Sequence, residues 1–342
     1  MKVLSVLLSL LISLFSVSSS SVASEEIANI PLSDTVQMQM QLRGYSDPSG
    51  IIPLFDADDE IIAYCYEFDN AYMIVDLVGN VLEHSPDTNS VYYNSNDTAY
   101  YGGPLLYFDK VGDNFVDINS NEAVADFECA EVVNELPSYA ISKMNVVDEY
   151  DVQVASTSVY QYVVEEISGE LRELDCNTDG TCGPVAVAIM LLYYDDYVSD
   201  NYVDDFFSSS PEALHDMLVS TYYPELGTDY DSLPEGINSY FENKNIDNGA
   251  TVVTNGFDNY IYPKIKYSSR PVILGLYDAY PSEPDPSPWC INHWVIVHGI
   301  SDYYYSGDFC YREYIVNNGW GSNDIYIMYS TSYMDGAIGF MY

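Results

Sequence analysis

The chain has 342 residues, and its 10 basic residues stand against 53 acidic ones, which gives a formal net charge of −43. A surface this negative argues against nucleic acids and anionic membranes as partners, because both need positive surface, and it favours cationic ligands. The 35 Tyr, 12 Phe and 3 Trp argue against a disordered acidic chain. They indicate a folded protein, whose length suggests two domains.

The first 24 residues have the organisation of a secretory signal peptide. Lys2 gives a positive start, an apolar run extends from Val3 to Phe15, and small residues follow as far as Ser24. The apolar run is too short to span a bilayer comfortably, and no second hydrophobic segment follows it. We therefore predict cleavage near Ala23 or Ser24, secretion to the extracellular space and no stable membrane span. A single N-terminal anchor is the alternative.

Residues 25–150 are predicted to form a β-rich domain. Short apolar segments separated by turn residues are typical of strands, and here they are EIIAYCYEF, AYMIVDLVGNVLEHS and GPLLYFDKVGDNFVDI. Gly79 and Asn80 separate two apolar runs, which predicts a hairpin turn. This half contains one histidine, His84, and no clustered acid and base suited to catalysis. Its chemistry is that of a supporting or inhibitory module.

A polar, weakly periodic stretch from about Ile141 to Ser168 follows the β-rich domain. We place the domain boundary within this stretch. Cleavage there would release a second domain, residues 165–342.

The second domain begins with helix signals. Pro184 suits the first turn of a helix, where its missing N–H is not needed. Residues 185–194 are apolar on every face, so this helix must be buried in the domain centre. Ser210 caps a second predicted helix that extends to Val219, and a third is expected over 233–241.

Strand-like segments follow these helices. They are residues 270–277, 293–300, 311–320 and 324–329. Helices followed by an antiparallel set of strands predict an α+β fold, with the buried helix packed on the sheet.

Cys182 would lie at the start of the buried helix. The positive end of the helix dipole and the unpaired N–H groups there stabilise a thiolate, which makes the sulfur nucleophilic. The alternatives are a small buried hydrophobic side chain and a disulfide with Cys176, which would silence catalysis until reduction. The six cysteines match no paired zinc signature, and six in a chain this long do not form a disulfide scaffold.

A nucleophilic thiolate also needs a base, and the sequence offers four histidines. His215 falls inside a predicted helix and His84 belongs to the β-rich domain. His293 and His298 flank one predicted strand and face opposite sides of it. His293 opens the strand, at a rim where a cleft can form, and is the better base. A satisfied core histidine is the alternative interpretation.

The stretch VNNGWG after the next strand offers a third group. An amide oxygen of Asn317 or Asn318 that accepts the ring N–H would fix the imidazole tautomer, and Trp320 would shield that bond from water. Asn-Asn-Gly is also ordinary turn chemistry, so the pattern alone leaves both interpretations open.

Together these residues resemble papain-like cysteine peptidases, and most closely the secreted streptopain-type branch. The cysteine heads a central helix, HWVIVHGI is similar to the histidine strand of that branch, and VNNGWG is similar to its Asn and Trp segment. RPVILGL is similar to the strand before the histidine. The resemblance covers about residues 175–330, and AYMIVDLVGNVLEHS resembles propeptide strands of the same enzymes.

The resemblance implies a papain-like catalytic domain behind an inhibitory propeptide, in an endopeptidase secreted as a zymogen that hydrolyses peptides or proteins. It implies Cys182 as the nucleophile and His293 as the general base and acid. It implies Asn318, or alternatively Asn317, as the residue that orients the imidazole. The family mechanism needs no metal or organic cofactor.

One position departs from the family pattern. The usual oxyanion donor is a Gln six residues before the nucleophile, and Cys176 occupies that position. Asn177 is one residue closer, and its side chain can donate a hydrogen bond to an oxyanion beside the Cys182 main-chain N–H. This departure keeps a catalytically inactive secreted binding or adhesion protein as an alternative function. A cell-wall amidase with the same Cys and His is a second alternative.

The segment YYYSGDFCYRE lengthens the connection between the histidine strand and VNNGWG. A hairpin extension would absorb this insertion without moving the ends of the two strands.

Overall fold

The computed structural model describes residues 32–93, 98–119, 123–124, 160–174, 176–177, 180–224, 227–276, 293–305, 308–330 and 333–341. The predicted signal peptide, Cys129 and Cys290 lie outside the described residues, as does the boundary stretch before residue 160. Within them the protein contains six helices and fifteen strands, so a mixed α and β architecture is confirmed. No helix in the described ranges is both long and apolar enough to cross a bilayer.

The N-terminal half, as far as it is described, contains one helix and eight strands. In chain order these are α1 (Asp34–Leu42), β1 (Gly50–Phe55), β2 (Ile61–Phe68), β3 (Ala71–Asp76), β4 (Val81–Ser85), β5 (Ala99–Gly103), β6 (Leu106–Val111), β7 (Asn114–Asp117) and β8 (Ala123–Val124). The predicted hairpin turn at Gly79 and Asn80 is confirmed, since β3 and β4 pair antiparallel around it. Gly79 has φ +96°, a conformation that favours glycine.

The C-terminal half contains the remaining elements. In chain order they are β9 (Tyr160–Glu166), α2 (Cys182–Tyr197), α3 (Asp205–Ser208), α4 (Pro211–Tyr222), α5 (Ser232–Lys244), β10 (Ala250–Val253), α6 (Asp258–Ser268), β11 (Val272–Leu276), β12 (His293–Tyr305), β13 (Asp308–Asn317), β14 (Ile325–Met328) and β15 (Met334–Phe340). The three predicted helices correspond to α2, α4 and α5, and the four predicted strands to β11 through β14. Helix α6 was not predicted, because Pro263 lies inside it.

Helix α2 forms the centre of the C-terminal half, as its sequence predicts. Every residue from Gly183 to Tyr194 is buried, and the helix packs against β11 and β12 on one side and α4 and α5 on others. Full burial of each Val, Ile, Leu or Met side chain contributes about 1.5–3 kcal/mol relative to exposure. The position of Cys182 at the start of α2 is therefore fixed by packing along the whole helix.

The strands of both halves belong to one sheet. Its order is β10-β15-β11-β12-β13-β14-β4-β3-β2-β1-β5-β6-β7-β8, and β9 pairs with β12 beside this path. Neighbouring strands are antiparallel except β1 and β5, which are parallel. The halves meet where β14 pairs with β4, with Tyr326 opposite His84. β9, which begins at Tyr160, pairs with β12 of the C-terminal half.

A cluster of buried charged and polar side chains connects the two halves beside the β4–β14 pairing. Arg43 lies at the end of α1 and forms an ion pair with Glu313 of β13, and both side chains are almost fully buried. Arg43 also donates to the Tyr311 hydroxyl over 2.9 Å. His84 Nε2 lies 3.2 Å from the second Glu313 oxygen, and Tyr45 donates to His84 Nδ1 over 2.9 Å. The cluster therefore links α1 and β4 to β13.

The charge of Glu313 depends on its neighbours. Burial opposes ionisation of this carboxyl, but the charge of Arg43 and the contact with His84 outweigh burial and lower its pKa to about 2. The carboxylate is thus ionised at neutral pH inside the junction, where an unpaired charge is costly.

We expect Arg43→Met to destabilise the protein by about 3–5 kcal/mol, because it leaves the Glu313 carboxylate buried without its cation. Urea unfolding of the full chain measures this loss. The matched control is Lys110→Met, which breaks a largely exposed ion pair with Asp59 and should cost far less than Arg43→Met, because solvent screens an exposed pair. Equal losses in the two variants would contradict the importance of the buried cluster.

Candidate active site

Cys182 is the first residue of α2, as predicted, and its side chain is half-buried. The first turn contains no acidic residue, so the positive end of the helix dipole is not offset by a neighbouring carboxylate. Thr181 precedes the helix without capping it by its side chain. An anion on the Cys182 sulfur would therefore be stabilised by the helix terminus. No disulfide joins Cys176 to Cys182 among the described residues.

His293 is the first residue of β12, and its position is fixed by two contacts. Its Nε2 lies 3.0 Å from the main-chain oxygen of Asn318. Its ring stacks on Trp320, with a centroid distance of 4.0 Å and an interplanar angle of 14°. A carbonyl oxygen only accepts, so Nε2 must carry the proton, and Nδ1 of the neutral ring keeps the basic lone pair.

Burial determines the charge state of this imidazole. Loss of solvation lowers the pKa of His293 to about 3, although the hydrogen bond to Asn318 opposes this shift. The ring is therefore neutral at pH 7. Its Nδ1 therefore carries no proton at that pH, and burial makes this nitrogen a weaker base than a solvated imidazole.

The first turn of α2 and the start of β12 are joined through Thr228. A β-carbon on Gly183 would come within 2.0 Å of the Thr228 hydroxyl oxygen, so only glycine lets the helix approach this closely. The main-chain oxygen of Thr228 accepts a hydrogen bond of 3.1 Å from the indole of Trp294, which follows His293. Thr228 therefore connects Gly183, which follows Cys182, to Trp294, which follows His293.

A second connection runs through the turn that follows β13. A β-carbon placed on Gly319 would lie 3.5 Å from Val185 Cγ1 and 3.8 Å from Asn177 Nδ2. Gly319 follows Asn318, which holds the imidazole. The turn therefore brings α2, Asn177 and His293 into one small region.

Asn177, the predicted oxyanion donor, lies at this region with an unused hydrogen-bond donor. Its side chain is 9 % exposed, and its Nδ2 has no hydrogen-bond partner among the described residues. Buried amide nitrogens without partners are costly and rare in folded proteins. Asn177 Oδ1 lies 3.5 Å from the hydroxyl of Thr181, the residue before Cys182, and an unused donor in this position is suited to a negative oxygen that forms only during a reaction.

The asparagine side chains do not orient the imidazole in the predicted way. We expected an amide oxygen of Asn317 or Asn318 to accept the ring N–H, whereas the main-chain oxygen of Asn318 accepts it. Asn318 Oδ1 instead accepts from the N–H groups of Trp320 and Ser322, at 2.9 and 3.1 Å. Asn317 Oδ1 accepts from the Gly319 N–H at 2.9 Å.

The physical reason for this difference is the turn. Asn side chains readily hydrogen-bond to main-chain groups two residues ahead, and here both do so. The left-handed conformations of Gly319 and Gly321 close the turn. The side chains thus position the imidazole indirectly, because they fix the turn that presents the Asn318 carbonyl.

The insertion between the histidine strand and this turn forms a hairpin extension, as expected. β12 and β13 pair from Ile296 opposite Asn317 to Tyr305 opposite Asp308. The extra residues lengthen the far end of the hairpin and leave His293 and Asn318 at the near end.

The other histidines have contacts of their own. His84 belongs to the junction cluster, and His215 lies in α4 beside Asp216. His298 is buried in β12 and lies 3.5 Å from Asp324. Sequence reasoning did not identify Thr228, whose role depends on its main-chain oxygen and on contact with a glycine, and neither leaves a residue-type signal.

We expect the pH dependence of stability to report the neutral state of His293. Its folded pKa lies below its unfolded value, so its contribution is complete above about pH 6.5 and is lost as the pH falls toward 3. The stability difference between wild type and His293→Gln, a residue that cannot titrate, should then decline by up to about 1.4 kcal/mol per pH unit. Urea unfolding at a series of pH values measures this slope, and a difference independent of pH would contradict it.

The comparisons with known proteins identify no relative that could assign a function. No protein-family model matches the sequence, and no curated protein matches it significantly.

Proposed function

We propose that this protein is a secreted cysteine endopeptidase of the papain-like type that is made as a zymogen. The observation that carries the proposal is a thiol at a helix start and an imidazole of defined tautomer at a strand start, on two elements that pack against each other. Cys182 begins α2, His293 is held through Nε2 by the Asn318 oxygen, and Thr228 and Gly319 tie the two elements together.

The reaction starts with proton transfer from the Cys182 thiol to Nδ1 of His293. The thiolate attacks the carbonyl carbon of the substrate, and the electrons of the C=O bond move to oxygen. Collapse of the tetrahedral intermediate forms a thioester, and the imidazolium gives its proton to the departing amine. Water, deprotonated by the same imidazole, then attacks the thioester and releases the acid product and the thiol.

The oxyanion of the tetrahedral intermediate needs donors aimed at it. The Cys182 main-chain N–H at the start of α2 is one, and Asn177 Nδ2 is the other. The transient imidazolium is stabilised by the Asn318 oxygen on its Nε2–H and by the face of Trp320, which attracts cations.

The N-terminal half is the inhibitory propeptide in this proposal. Its pairing with β14 and the buried Arg43 and Glu313 pair support a stable association with the C-terminal half. Activation then requires cleavage between the halves followed by separation of the junction.

An inactive binding protein on this scaffold is the alternative, and the burial of His293 favours it. His293 is 3 % exposed, which restricts access of a substrate or of the Cys182 thiol to Nδ1. A cell-wall amidase would use the same residues on a different amide, so that alternative differs in substrate and not in mechanism.

We expect a thiol-directed peptidyl inhibitor to label the processed protein at Cys182 under reducing conditions. Labelling and casein cleavage should both be lost in Cys182→Ala, because the nucleophile is removed. Peptide mapping by mass spectrometry locates the adduct. Cys176→Ala is the matched control and should keep both. Absence of label and of cleavage in every processed form would favour the binding protein.

We expect Asn177→Ala to lower kcat by about 10²–10³ with little change in KM, because an oxyanion donor acts in the transition state. Steady-state hydrolysis of a peptide substrate measures both constants. Asn201→Ala removes an exposed amide whose contact is with Ser199 and serves as the control. An equal effect of both substitutions would remove Asn177 from the oxyanion site.

A further inference from the structure

A large acidic cavity lies behind the turn that holds the imidazole. Its volume is about 770 Å³, and it is bounded by the residues after β9, by the end of the turn after β13, and by Asp87 and Thr88 after β4. Five carboxylates line it, and they are Asp87, Glu166, Glu170, Glu173 and Asp324.

Among the described residues, no lysine or arginine lines this cavity. Six of the described lysines and arginines form ion pairs with carboxylates outside it, and they are Arg43, Lys110, Arg172, Lys244, Lys266 and Arg312. Two more donate to main-chain oxygens, Lys264 to Phe340 and Arg270 to Ser268. The cavity therefore concentrates negative charge that no described cation of the chain offsets.

Repulsion between the carboxylates of the cavity affects the pKa of Asp324. Burial raises the pKa of this carboxyl, and the charges of Asp87, Glu166 and Glu173 raise it further. A cation placed among these groups would relieve the repulsion.

His298 provides an independent sign of a ligand. It lines the cavity and is 8 % exposed, yet its Nε2 has no hydrogen-bond partner among the described residues. The nearest acidic oxygen, on Asp324, is 3.5 Å away, which is longer than an ordinary hydrogen bond. Burial lowers the pKa of His298 to about 4, so the ring is neutral at pH 7 and can accept a hydrogen bond.

The shape of the cavity favours an organic cation over a metal ion. Among the described residues, no three His, Cys, Asp or Glu side chains are close enough to hold a metal. The volume instead suits a flexible side chain that ends in several N–H donors, each of which needs its own acceptor. Guanidinium and ammonium groups have this chemistry, and guanidinium fits carboxylates in pairs.

We propose that this cavity binds the arginine or lysine side chain of a basic peptide. The carboxylates neutralise its charge, and His298 Nε2 accepts one of its N–H groups. Ser322 lines the cavity, and its main-chain oxygen accepts from the Asn318 N–H at 3.0 Å. An occupant would therefore contact the same turn that holds His293. The site does not depend on the proposed peptidase activity, and it is complete only while the N-terminal half, which supplies Asp87 and Thr88, is present.

The test is binding of an arginine hexapeptide to the full-length Cys182→Ala protein, measured by isothermal titration calorimetry. The matched peptide carries citrulline, which keeps the shape of arginine without its charge. We expect the citrulline peptide to bind at least about tenfold more weakly. The double variant Glu166→Gln and Glu170→Gln should weaken binding of the arginine peptide by a similar factor.

The control variant Glu212→Gln and Glu242→Gln removes the same charge from exposed positions on α4 and α5, and should leave affinity within about twofold. Thermal unfolding checks that both double variants are folded.

His298→Asn, which keeps an acceptor, should bind better than His298→Leu. Equal losses in the two double variants would indicate a diffuse electrostatic effect and overturn the site. Displacement of the peptide by equimolar calcium would indicate a metal site and also overturn it. Peptide binding by the full-length protein, together with no hydrolysis of casein by any processed form, would leave this proposal standing and reject the proposed function.

Discussion

The hydrogen bond from His293 to the Asn318 carbonyl is the constraint on which the candidate site depends. Because a carbonyl oxygen can only accept, it fixes which imidazole nitrogen carries a proton and which one is basic. Stacking on Trp320 fixes the plane of the ring. The same turn lies against α2 and Asn177, so one short segment positions the imidazole next to the start of α2 and to the Asn177 amide.

The parts of this arrangement that follow from residue type and spacing were predictable. The all-apolar run after Pro184 predicts a buried helix, and Cys182 lies at its start as expected. His293 opens its strand, because strand signals and the histidine occur together in the sequence. The hairpin insertion was also predictable, since strand pairing on both sides leaves few other ways to place it.

The parts that depend on the main chain were not predictable in the same way. Nothing in VNNGWG distinguishes an asparagine whose side chain accepts a hydrogen bond from one whose carbonyl does, because the choice depends on the path of the turn. The continuous sheet was missed for a similar reason. Strand patterns show which face is apolar, but the partner of a strand edge such as β4 depends on contacts distant in sequence.

The shared sheet has a consequence for the two halves once they part. Departure of β4 would leave Ile325–Met328 as an open edge with unsatisfied N–H and C=O groups. It would also strip the Glu313 carboxylate of its guanidinium partner and expose it to water. A strand of another chain can pair with such an open edge, whereas an exposed negative charge nearby repels another acidic chain. Without the N-terminal half, the C-terminal half would therefore expose a strand edge that favours self-association. It would also expose, beside that edge, a negative charge that opposes self-association.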